Sequence, residues 1–305
     1  MSTYPRRFVA AGLLAALTAG ACGGSSGEKK AAPAGGIAGP NAAVDVKVGG
    51  VRSPAAGLRA NLTHLLQEHV FLTGITANLA LQAKDPAAAT AVLDANTAAL
   101  GETFGRLYDD VAAERFLALW NNKASLFVRF AQATTAADQT ALAAVKDELA
   151  VYQSDFATFV NEINPQLAAD ALKTDAGAHV SAVLAAITAQ AKNDPTAPEK
   201  LKDAAAVMPR TGAVLAAGIV KQMPTAFAGT ADGGGATLLA TFTAALQEHV
   251  YLLAATTRTV VAGGDEKKLR ETLDEGAEGL ANLIGAVYDD AAGRQFLQIW
   301  RAQIA

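Results

Sequence analysis

The sequence predicts an all-α protein: an up-down helical bundle followed by a duplicated half-bundle, a helical hairpin plus the start of a third helix. Three observations carry this expectation. From Leu58 onward the chain is dominated by Ala, Leu, Glu, Gln, Lys and Asp, with few β-branched runs and only 6% aromatic residues overall, a composition that favours helices. Helix punctuation recurs: Ser53-Pro54 and Asp85-Pro86 each set a capping residue before a proline suited to the first helical turn. Finally, residues 58–120 align without a gap on residues 238–300 at a constant offset of 180, with roughly a third of the positions identical.

The N-terminal segment, 1–21, reads as an export signal. Arg6 and Arg7 form a basic start, and Phe8 to Ala21 is an apolar run, shorter than the ~20 residues a spanning helix needs. Ala19-Gly20-Ala21 precede Cys22, the single cysteine of the 305-residue chain. These residues resemble the lipobox of bacterial lipoproteins, with Ala19 where that family usually has leucine. The resemblance implies lipidation at Cys22, export, and anchoring to the outer face of the cell membrane. One cysteine allows no disulfide within the chain, so stability must come from core packing.

Residues 22–53 contain the lipidated cysteine and a Gly/Ala/Ser/Pro-rich tether. The formal net charge is −4 and no polybasic stretch occurs, which argues against nucleic acid as a partner.

The bundle is expected over 54–227. Its first helix has Leu62, Leu65, His69, Leu72, Thr76 and Leu79 at spacings of three and four, a seam facing a partner helix. His64 and Glu68 are one turn apart and can pair. Linking helices follow near 111–133 and 135–163. A fainter unit over 168–223 places His179-Val180 in a helix closing at Asn193-Asp194-Pro195, followed by a second amphipathic helix.

A Gly-rich linker, 228–235, leads to the truncated second copy, 236–305. It keeps the phase of the first helix with Phe242, Ala245, His249, Leu252, Thr256 and Thr259. A helical hairpin cannot bury its apolar stripe alone, so this half-bundle is expected to pack on the first bundle, to self-associate with another chain, or to belong to a longer protein.

Candidate site residues centre on the pentapeptide LQEHV, present as Leu66–Val70 and Leu246–Val250. His69 and His249 fall in the buried stripe, where an imidazole needs a hydrogen-bond partner or a metal. Glu68 and Glu248 are adjacent to them, about 100° away around the helix, and no Glu-x-x-His pair of the di-iron kind involves any histidine. The site candidates are therefore Glu68, His69, His179, Glu248 and His249. Their structural reading is a histidine bonding across the core with no cofactor; the alternative is a divalent metal in the bundle core.

Tyr108-Asp109-Asp110 and Tyr288-Asp289-Asp290 fall at helix junctions, where aspartate capping competes with cation binding. Trp120 and Trp300 share helical phase with Phe116 and Phe296, as core residues do. There is no G-x-S-x-G and no phosphate loop. The function expected is non-enzymatic binding or scaffolding in the cell envelope.

Glu68 to Thr73, Asn164-Pro165 and Ile219-Val220-Lys221-Gln222-Met223-Pro224 together resemble a class of bacterial helical-bundle proteins. Its members open on a Glu-His-Val helix and have a proline break at mid-domain. The resemblance implies histidines on several main helices, as an interior metal site would need. Here Lys123, Gln303 and Val207 stand where further histidines would fall, so only His69, His249 and His179 carry over.

Overall fold

In the computed structural model, the described residues are 50–304, apart from 83, 86, 262 and 264. The signal segment, Cys22, most of the tether and Pro86 lie outside them. Ten helices make up the described chain: α1 (Pro54–Leu81), α2 (Ala87–Leu107), α3 (Asp110–Thr135), α4 (Gln139–Ile163), α5 (Ala169–Ala191), α6 (Ala197–Ala206), α7 (Met208–Gln222), α8 (Gly234–Val261), α9 (Lys267–Val287) and α10 (Asp290–Ile304). No strand occurs among the described residues, and the protein is all-α.

The punctuation acts as its chemistry dictates. Ser53 caps α1 through Ala56 N–H, with Pro54 in the first turn. Asp109 and Asp289, the middle residues of the two Tyr-Asp-Asp triplets, cap α3 and α10 by accepting from Ala112 and Ala292 N–H at 2.7 Å and 2.8 Å. Each satisfies a backbone donor that a helix start leaves open.

Two boundaries depart from expectation. The helix predicted after Pro195 is two helices, α6 and α7, broken at Val207. Pro209 has no N–H to donate and its ring crowds the carbonyl four residues back. The connection runs over 223–233 and not 228–235, because α7 stops at Gln222 and α8 already begins at Gly234.

The core of the first copy is an aromatic file across α2, α3 and α4. Phe104 stacks on Phe116 at 4.2 Å, Phe116 on Trp120 at 5.0 Å, and Trp120 meets Phe156 at 5.9 Å. All four are buried, so α4 closes over α3.

The half-copy packs on the bundle through α8, which lies parallel to α1. Arg59 donates to Thr237 Oγ1 at 2.8 Å, the His64 ring meets Gln247 Nε2 at 2.7 Å, and Phe71 stacks on Tyr251 at 4.7 Å. Residues 71 and 251 are counterparts in the duplication. A position meeting its own counterpart is the mark of a self-complementary contact, so at this point α1 and α8 meet through the same face.

Candidate functional site

His69 is 1% exposed on α1. Its partner is Trp120 on α3, whose indole N–H donates to His69 Nδ1 at 3.1 Å. This bond fixes the neutral tautomer with the proton on Nε2. The second copy repeats it: Trp300 donates to His249 Nδ1 at 3.3 Å, with ring centroids 4.9 Å apart as in the first copy. Histidine and tryptophan are thus one brace between the first and third helices of each copy.

His179, on α5, is 4% exposed and neither ring nitrogen has a hydrogen-bond partner. It meets Phe127 edge-on at 5.9 Å. The third member of this region is Lys123, fully buried on α3. Its Nζ sits 3.1 Å from the Trp120 ring centroid and 5.9 Å from that of Tyr152, with no hydrogen-bond partner.

Burial holds the Lys123 amine well below the ordinary lysine range. Burial, and then the charge of Lys123, likewise hold His69 and His179 well below the usual imidazole value. For His69, His179 adds to the shift and Asn96 opposes it, without closing a hydrogen bond: His69 Nε2 and Asn96 Oδ1 are both buried and unpartnered. The interior therefore gathers three basic nitrogen groups whose charged forms burial disfavours, beside aromatic rings.

The glutamates adjacent to the histidines do point elsewhere. Glu68 accepts from Asn96 Nδ2 at 2.9 Å and from Tyr251 O–H at 3.3 Å. The expected His64–Glu68 pair does not form, because α8 brings Gln247 to His64 and Tyr251 to Glu68. Glu248 is held by Lys202 of α6 at 3.9 Å. Its counterpart of Asn96 is Gly276, where a Cβ would meet Glu248 Oε1 at 3.3 Å. Burial raises the Glu248 carboxyl above its ordinary range, with Lys202 opposing.

The five sequence candidates are therefore not one site. His69 and His179 share the interior of the first copy, Glu68 lies at the junction of the copies, and Glu248 and His249 belong to the half-copy. Sequence reasoning missed Lys123 as a member, having marked it only as a departure from histidine. It also missed the Trp–His brace, although both residues survive in both copies at the same separation. Among the described residues, no group of three or more His, Cys, Asp and Glu side chains is gathered as a metal would need. The side chains here offer nitrogen donors only, a set suited to zinc or copper and unsuited to calcium or magnesium.

A separate cleft of about 720 Å³ opens along α1, α2 and α3, lined among others by Thr76, Asp94, Thr97, Asn121 and Arg129. In the half-copy the equivalents of Asp94 and Asn121 are Asp274 and Arg301, which form a two-pronged ion pair at 2.6 Å.

The half-copy also exposes what the first copy buries. Leu66 and Val70 are 2% and 0% exposed; Leu246 and Val250 are 43% and 62% exposed. The difference continues along one row of α8, through half-buried Leu253 and exposed Thr257, opposite buried Thr73 and Ala77 in α1. Helices α6 and α7 pack on α1 beside that row, at Gly74 and Thr63, whereas among the described residues nothing buries Leu246 and Val250 of α8. On α10, Ile299 is exposed and Phe296 and Trp300 are half-buried.

Comparison with family models, curated proteins and solved structures found no match for this chain.

Proposed function

We propose that the protein is an envelope-anchored, non-enzymatic scaffold, held at the outer membrane face by lipidated Cys22, that binds a partner through its half-copy. The observation that carries this reading is the apolar row on α8 centred on Leu246 and Val250. A patch of that kind on a protein surface marks an interaction site. The sequence supports the anchor, since a basic start, an apolar run and a small-residue stretch lead into Cys22. The interior nitrogens are sealed from solvent, as suits a structural brace better than a reaction centre.

The test uses a photo-crosslinking residue at position 250 of the full-length chain in its native cell, with position 151 on α4 as the exposed control. A discrete adduct from 250 alone is expected; no adduct from 250 sinks the docking reading. In parallel, the Cys22→Ala chain is expected in the medium and the parent in the membrane fraction. Identical fractionation would remove the anchor.

A second reading, metal binding in the bundle core, is favoured by one observation: His69 Nε2, both nitrogens of His179 and Lys123 Nζ are buried without partners. Residues 54–305 would then carry stoichiometric zinc or copper that is lost in His69→Ala. Metal below stoichiometry and unchanged by the substitution eliminates this alternative.

A further inference from the structure

The exposed row of α8 has a template inside the same chain, because the first copy shows what packs on its equivalent. Helices α6 and α7 run antiparallel to α1, with Leu201 against Gly74 and Gly212 against Thr63. Both approaches are close: a Cβ on Gly74 would lie 2.4 Å from Leu201 Cδ1, and one on Gly212 would lie 2.9 Å from Thr63 Oγ1 and 3.0 Å from Thr63 N. The half-copy retains the threonine, as Thr243, and replaces Gly74 by Ala254.

The duplication supplies a charge as well. Lys202 of α6 reaches across to Glu248. The counterpart of Glu248 in the duplication is Glu68, which makes no ion pair among the described residues.

The geometry points to a helical partner that lies antiparallel on α8, sets a glycine over Thr243 and a residue smaller than leucine over Ala254, and brings a cation to Glu68. It rests on the docking reading above and names that partner's chemistry: a small-residue helix pair of the α6–α7 kind. The methyl of Ala254 occupies the space that Leu201 uses on Gly74, so α6 itself is a near fit and a trimmed version is a better one. Only Glu248 and Arg258 are charged in α8, so the row presents no charge barrier to an apolar helix.

A labelled synthetic peptide of residues 196–224 of this chain, titrated into the full-length protein, tests this. Saturable one-to-one binding is expected, weakened at least tenfold by Val250→Asp in the protein and by Gly212→Val in the peptide. Leu201→Ala in the peptide should tighten binding severalfold, and Val151→Asp, at an exposed position of α4, should change nothing. Absence of saturable binding, or binding indifferent to Val250→Asp, overturns the inference; so does weakening by Leu201→Ala.

Two other occupants are read in the same series. A dimer dispersed by Val250→Asp would give the face to a second copy, and capture on anionic phospholipid vesicles abolished by Val250→Asp would give it to lipid. α8 is long and apolar enough by composition for the latter to be measured. Either result overturns the helical partner. If the adduct from position 250 persists in cells while the peptide fails, the docking reading stands and only the partner's chemistry falls.

Discussion

Trp120 donates its indole N–H to His69 Nδ1 at 3.1 Å, and the duplicated pair Trp300–His249 makes the same bond at 3.3 Å. The first is sealed in a core and the second stands at the edge of a half-open one, so the chain contains the same brace in two environments. Removing the first donor leaves a buried imidazole acceptor unsatisfied. Trp120→Phe is therefore expected to cost about 2–4 kcal/mol, combining the lost bond with the lost ring volume. Trp300→Phe, half-exposed, should cost less than half as much. Urea unfolding of both variants checks the ratio; equal costs would contradict it.

Lys123 gives a prediction of opposite sign. Its amine is buried, has no hydrogen-bond partner and is desolvated. Replacing an uncompensated buried polar group by an apolar one of similar length is neutral or favourable. Lys123→Met should leave the melting temperature unchanged or raise it. A loss of several degrees would mean that the amine has a ligand.

The pH dependence follows from the depressed bases. His69 and His179 have folded pKa values below their unfolded value near 6.5. Below that pH the unfolded chain binds protons that the folded chain refuses. Stability from these two groups is thus complete above pH 6.5 and lost as the pH falls, by up to about 1.4 kcal/mol per pH unit for each imidazole. Unfolding free energies between pH 7.5 and 5.5 should show this slope, and His179→Leu should reduce it by one proton. A profile flat in this window would place these imidazoles in water.

Gly74 and Leu201 give a packing test. Gly74→Ala should destabilise the protein by about 1–3 kcal/mol, because a Cβ there meets Leu201 at 2.4 Å. Leu201→Ala in the same chain should recover part of that loss. Additive costs in the double variant would mean that the two residues do not touch.

Much of the fold was legible in the sequence because local chemistry decides it. Ser53, Asp109 and Asp289 cap helices where the pattern places them, and duplication fixes the phase of α8 from that of α1. The break at Val207 was hidden because Met208-Pro209 sits within a run of good helix formers. The site was less legible. Composition does not say that α1 and α8 lie side by side, and this contact redirects His64 to Gln247 and Glu68 to Tyr251. Nor does a seam position show whether a neighbour covers it. Val70 and Val250 occupy the same place in the same pentapeptide, and only the packing of other helices around α1 makes one core and the other surface.

That contrast is the claim to test most directly. Equilibrium unfolding of Val250→Asp should agree with the parent within about 0.5 kcal/mol, as for a surface change. The same substitution at Val70, which buries an unpaired carboxylate, should leave no stable fold. If Val250→Asp unfolded the protein as Val70→Asp does, the α8 row would be core and the docking face would not exist.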